Sequence, residues 1–181
     1  SDGQLLMSLA PQNGVADTGY VNSDYKSIVR AGPPFNTPTD VAVSPDATIL
    51  VSDGYGNARV HKFTSDGKLL LSWGAPGDGV SKFNIPHGVY VDPEGRVYVA
   101  DRQNSRIQIF SLQGEFLDQW EEVWWPNSLC QDVQQNFYVA EIGGIFMFGH
   151  EASLEKPAAR MTVRSPDGTI VSEWSAEDPY G

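Results

Sequence analysis

Two stretches of this chain are near-copies of one another. FNTPTDVAVSPDATILVSDGYGNARVHKFTSDGKLLLSWG spans residues 35–74, and FNIPHGVYVDPEGRVYVADRQNSRIQIFSLQGEFLDQW spans residues 83–120. Such a repeat restricts the fold to architectures built from stacked copies of one unit, because a single copy cannot bury its own apolar face. Differences between the copies then show where function is grafted onto the scaffold. The most visible one is His87, which stands where the first copy has Thr39.

Pro38, Pro86 and Pro126 open successive units, 48 and then 40 residues apart. Units of about 40–45 residues with four strands each have the period of propeller blades. In the second unit the strands GVYVD, RVYVA, RIQIF and EFLDQW are short, rich in β-branched and aromatic residues, and separated by turn residues. No segment carries a sustained 3.6-residue apolar period. The expected fold is therefore all-β, a propeller of four-stranded blades: one blade over 35–82, a second over 83–123, and a divergent third over 124–181. In the third, FGHEASLEKPAAR reads as an insertion and MTVRSPDGTIVSEW as the two outer strands. The start, SDGQLLMSLA, matches only the outer strand of a unit, and residues 10–34 read as a long connection. About three and a half blades would leave sheet faces exposed. The expectation is an excerpt of a longer propeller, or a ring closed by self-association with another chain.

The residue entering a blade's first strand and the residue leaving its second share one end of the hairpin. Thr39 and Asp53, His87 and Asp101, and Asn127 and Glu141 are each 14 residues apart. If the first strand is innermost, then Thr39, Tyr55, His87, Arg102, Asn127 and Glu141 converge on one mouth of the channel, a default ligand site. Asp53 with Arg59, and Asp101 with Arg106, read instead as one structural ion pair or turn brace per blade. His61 and His150 read as surface or insertion residues, and Cys130, the single cysteine, as a small buried side chain.

A net charge of −11 argues against nucleic acid and against a polybasic membrane contact. No run is long enough to span a bilayer. The sequence carries no HExxH motif, GxSxG elbow or P-loop. The compartment stays open, with secreted or periplasmic somewhat favoured over cytoplasmic.

Asp101, Asn104, Arg106, Ile107, Phe110, Gly114, Phe116 and Trp120 together resemble the NHL repeat. Over residues 35–120 the match is closer. VSDGYGNARVHKF, then PHGV, then VADRQNSRIQIF resembles the core of peptidyl-α-hydroxyglycine α-amidating lyases and their bacterial relatives. The asymmetry between units agrees: Asp53 to Arg59 is six steps and Asp101 to Arg106 five. The resemblance implies a six-bladed propeller that splits a C-terminal α-hydroxyglycine into a peptide amide and glyoxylate. It implies a channel zinc held by three histidines and a structural calcium nearby. By motif, His87 would be a zinc ligand and Tyr55 the acid/base. Arg102 would hold the substrate carboxylate or buttress the tyrosine. Thr39, Asn127 and Glu141 would contact a small-molecule or peptide substrate in the channel. The other two family histidines have no counterpart among these motifs. Two alternatives stay open: a non-catalytic NHL propeller binding protein or peptide, and another divalent-metal propeller lyase or lactonase.

Overall fold

Twelve strands form three antiparallel sheets of four in a computed structural model that describes residues 3–9, 14–33, 35–143 and 159–175. The first blade is β1 (Pro38–Val43), β2 (Ile49–Asp53), β3 (Arg59–Phe63) and β4 (Leu69–Trp73). The second is β5 (Pro86–Val91), β6 (Val97–Asp101), β7 (Arg106–Phe110) and β8 (Phe116–Trp120). The third is β9 (Pro126–Gln131), β10 (Phe137–Glu141), β11 (Arg160–Arg164) and β12 (Ile170–Ser175). Within each sheet the strands follow chain order, and β5 lies against both β1 and β9. The first strand of each blade is thus innermost, as a β-propeller requires. No helix among the described residues is long and apolar enough to cross a membrane.

One turn chemistry builds the hairpin between the first and second strands and the one between the third and fourth strands of every blade. Ser44, Thr64, Asp92, Ser111, Asp132 and Ser165 each donate a backbone N–H to the carbonyl of the residue four places on, and their own carbonyls accept from the residue three places on. Their side chains accept further N–H groups or bind a neighbouring polar side chain, as Asp92 Oδ1 does from Arg96 N at 2.7 Å. The fourth residue of each turn is left-handed, which suits glycine. In four turns it is glycine; in the other two it is Ala47 (φ 61°) and Gln135 (φ 68°).

Two apolar layers hold the blades together. Between the first and second, Leu50, Val60 and Trp73 meet Val89, Val99 and Phe110. Between the second and third, Phe137 packs on Tyr98 at 4.6 Å and on Trp120 at 5.0 Å, ring centre to ring centre. Trp120 is therefore an interblade side chain. At the mouth the backbones come close. A Cβ on Gly54 would collide with the Pro86 carbonyl, and one on Gly88 would sit 2.8 Å from the Asn127 carbonyl oxygen.

Several expectations are corrected here. Residues 3–9 form no strand; Met7 and Leu9 lie against the turn between β3 and β4 at Gly67. Cys130 is exposed, because it stands opposite Tyr138 on the face of the third blade turned away from the second. Trp174, 53% exposed, belongs to the same outer blade. His61 is buried, 1% exposed: it lies mid-strand in β3 beneath the edge of Phe35. His150 and most of the insertion lie outside the described residues.

Two stability predictions follow from the backbone. Ala47→Gly and Gln135→Gly are each expected to stabilise the chain by about 0.5–1 kcal/mol, by relieving a left-handed non-glycine residue. Gly54→Ala is expected to destabilise it by about 1–3 kcal/mol through overpacking. Urea melts of the three variants measure both; a neutral Gly54→Ala would mean that the blades separate readily at the mouth.

Candidate functional site

Each blade's mouth is assembled from the same parts. A buried acid ends the second strand and accepts the backbone N–H of the residue two places before the opening proline. Asn36 N donates to Asp53 Oδ2 at 2.8 Å, Asn84 N to Asp101 Oδ1 at 2.7 Å, and Trp124 N to Glu141 Oε2 at 2.6 Å. The residue just before each proline is left-handed: Thr37 (φ 65°), Ile85 (φ 56°) and Trp125 (φ 49°). None is glycine, and each such conformation costs about 1–3 kcal/mol. Just after the proline comes a bulge in the ladder. The pairing skips Thr39, His87 and Asn127, so these three residues have no partner on the next strand. A bulge re-aims the side chain it carries, and bulges recur beside functional sites. This was not legible from alternation, although a proline opening each inner strand is a signal for one.

Blades one and two join their mouths through three side chains. Gly54 adds one residue after Asp53, and Tyr55 then turns toward blade two. The Tyr55 hydroxyl lies 3.1 Å from His87 Nε2 and accepts from Arg102 Nη1 at 3.3 Å. The guanidinium sits 5.3 Å from the centre of the tyrosine ring. His87 Nδ1 is 2.9 Å from the Asn127 carbonyl oxygen. A carbonyl only accepts, so Nδ1 carries the proton, and Nε2 of the neutral ring accepts from the tyrosine hydroxyl. Blade three thereby fixes the tautomer of a histidine that belongs to blade two.

Arg102 is the unusual member. It is 2% exposed, its Nε has no partner, and among the described residues it joins no ion pair. A buried cation without a counter-charge is costly unless something else compensates it. Its backbone is held by the Arg102 N–H to Ile85 carbonyl bond of 3.1 Å.

The remaining expected site residues behave differently. Thr39 Oγ1 donates toward the Pro86 carbonyl at 2.7 Å and also lies 2.9 Å from Ser52 Oγ, so it ties two blades together. Glu141 is buried and fully engaged by Trp124 N, Arg160 Nε at 3.0 Å and Thr162 Oγ1 at 2.6 Å. It is the third blade's brace, not a channel group. Asn127 is half-buried at the mouth and contributes its carbonyl. The Asp101–Arg106 pair forms at 2.8 Å, but Asp53 does not pair with Arg59. The added residue shifts Arg59, which donates to the Gly74 carbonyl at 2.6 Å with its Nε unpartnered. Asn57 Nδ2 at 2.8 Å and His61 Nε2 at 3.4 Å stand against Asp53 instead.

Among the described residues no three His, Cys, Asp or Glu side chains converge on a point that would hold a metal ion. His87 Nε2 is a single donor, whereas a catalytic zinc takes three protein ligands. The described residues therefore do not by themselves fit the zinc or the calcium that the resemblance implies.

Burial holds the His87 imidazole below its ordinary 6.5. The Arg102 charge acts in the same direction, and the Asn127 carbonyl and Asp40 oppose it. A histidine harder to protonate when folded favours the folded state above about pH 6.5. That contribution is lost as the pH falls from there through the lower folded value. His87→Gln is expected to flatten this part of a stability–pH profile. A His87 titration followed by NMR with a midpoint at or above 6.5 would contradict the burial account.

Comparison with known proteins agrees with this architecture. The NHL repeat model matches residues 35–63 and 83–110, one stretch in each of the first two blades. Human NHL repeat-containing protein 3 is 44% identical over 89 residues, which is 48% of this chain and 26% of that protein. Peptidyl-alpha-hydroxyglycine alpha-amidating lyase 1 of Drosophila melanogaster is 39% identical over 100 residues, 50% of this chain and 18% of that protein. The chain thus spans about a quarter or less of these relatives. A streptogramin B lyase structure superposes with a TM-score of 0.59 at 16% identity, over 82% of this chain and 44% of that one, a likeness of fold.

Proposed function

We propose that Tyr55, His87 and Arg102 form the acid/base and anion-binding end of a lyase site. The reaction is cleavage of a C-terminal α-hydroxyglycine into a peptide amide and glyoxylate. The observation that carries this reading is Arg102, a buried guanidinium with no carboxylate partner among the described residues, set against a tyrosine–histidine pair. A substrate carboxylate is the charge it lacks, and a guanidinium fork suits that group.

In this reading the carbinol hydroxyl lies against the Tyr55–His87 pair. Its proton passes to that pair, where His87 Nε2 is the acceptor, held in that role by the Asn127 carbonyl. The C–N bonding electrons move to the amide nitrogen as the carbinol oxygen becomes the aldehyde oxygen of glyoxylate. The nitrogen takes up a proton, so the proton removed at one end is returned at the other. Arg102 donates to the tyrosine oxygen, so charge developing there meets a donor already in place. The relatives named as amidating lyases support the choice of substrate.

Peptide binding without turnover is a second reading, favoured by one observation: His87 is a lone metal donor among the described residues.

Glyoxylate release from an N-acyl-α-hydroxyglycine decides between the two. Tyr55→Phe is expected to lower kcat by about 100-fold or more. Arg102→Gln is expected to raise KM, through the lost carboxylate contact, and to lower kcat, through the lost donor to the tyrosine oxygen. Full activity of Tyr55→Phe would remove the tyrosine from the chemistry, and no turnover by the parent chain would favour the binding reading.

A further inference from the structure

The segment over residues 14–33 is a strap fastened to blade one at both ends. Thr18 Oγ1 donates to the Gly56 carbonyl at 2.6 Å, and Asn57 Nδ2 donates to the Gly32 carbonyl at 2.8 Å. Asn36 Nδ2 holds the Ala16 carbonyl at 3.0 Å. Between these anchors the chain makes a short 3-10 turn, Tyr25–Ser27, capped by Asp24, which accepts from Lys26 N at 2.9 Å. The strap lies over the mouth, where Tyr25 lines one cavity with Tyr55; burial and the neighbouring Asp24 push the Tyr25 phenol up, and the Arg102 charge opposes them.

Beneath it is a cavity of about 260 Å3, lined by Tyr20, Ser23, Tyr25, Thr37, Tyr55 and Ile85. Three walls are aromatic. Two more are the left-handed residues Thr37 and Ile85, whose backbone departs from the strand at this point. Tyr55 belongs both to this cavity and to the cluster with His87 and Arg102. An apolar chamber thus shares a wall with a cationic and acid/base site. Its volume falls below the roughly 300–1,000 Å3 of pockets that take a whole drug-sized ligand. It suits one large side chain.

We infer that this cavity is a side-chain pocket that selects peptides with an aromatic or large apolar residue immediately before the C-terminal glycine unit. The inference rests on the reading of Arg102 as the carboxylate holder. A C-terminal carboxylate at Arg102 directs the preceding residue over Tyr55. Tyr20 and Tyr25 are then specificity-determining residues supplied by the strap. They are absent from the repeat itself, so blades that share the NHL pattern need not share the preference.

The test uses three probes with free carboxylates, acetyl-Phe-Gly, acetyl-Leu-Gly and acetyl-Gly-Gly, titrated against the full chain. Burial of the side chain predicts that acetyl-Phe-Gly binds about tenfold or more tighter than acetyl-Gly-Gly. Tyr20→Trp, which fills the cavity, and Tyr25→Ala, which removes a wall, are both expected to erase that ranking. An unchanged urea midpoint for each variant reports that the fold is intact. Arg102→Gln should weaken all three alike. Equal affinities that still depend on Arg102 would overturn the pocket and leave the carboxylate reading standing. A phenylalanine preference that ignores Arg102→Gln but is lost in Tyr20→Trp would keep the pocket and overturn the carboxylate reading. A ranking that survives both tyrosine variants overturns the pocket, and no binding by any probe overturns both.

Discussion

Each blade's mouth hangs on a buried carboxylate. Asp53, Asp101 and Glu141 are all essentially inaccessible, and each receives a backbone N–H from the loop that precedes the inner strand of its own blade. That bond pins the loop against the end of the second strand. It forces the residue before the proline into a left-handed turn and sets where the inner strand starts. The bulge at the next position, and the aim of Thr39, His87 and Asn127, depend on it. Charge-assisted bonds of this kind are among the stronger ones available, and losing one leaves a buried charge.

The three carboxylates are compensated differently, and the candidate site lies where they differ. In blade two Arg106 and Gln108 meet Asp101, and in blade three Arg160 and Thr162 meet Glu141. Blade one has one residue more between the acid and the arginine. Arg59 is displaced, Asn57 and His61 take its place, and one oxygen of Asp53 is left without a partner. The same added residue carries Tyr55 across to blade two, where Arg102 leaves its own counter-charge unmet. The irregularity that weakens one brace is what brings the tyrosine, the histidine and the arginine together. In blade three the corresponding position holds Ile142, and no such cluster forms.

Much of this was readable from residue order. The repeat period, the alternation in RIQIF and the turn residues located the four strands of the second blade and the two outer strands of the third, and the constant spacing of 14 picked out the mouth. The roles of single residues at that mouth were less readable. Thr39 and Glu141 have the right spacing and polarity for substrate contact, yet both spend their hydrogen bonds on neighbouring strands. Spacing gives position along a strand, but not which neighbour has already claimed a side chain. Cys130 and His61 were misjudged for a related reason. Burial on a blade depends on what covers that face, and the cover over His61 is Phe35, 26 residues earlier in the chain.

Residue order alone carried the blade unit, its four-strand plan and the turns, because all of these follow from local periodicity and turn chemistry; it was the resemblance to the lyase family that singled out Tyr55, His87 and Arg102 among the residues of the mouth. The hydrogen bond that sets the His87 tautomer, the unpaired state of Arg102 and the chamber under the strap arise only when separate blades and residues 14–33 are packed together. The Tyr55–His87, His87–Asn127 and Arg102–Tyr55 contacts join residues 32, 40 and 47 positions apart. Contacts of that span are governed by how the sheets twist and how closely their backbones approach, and no local pattern encodes either.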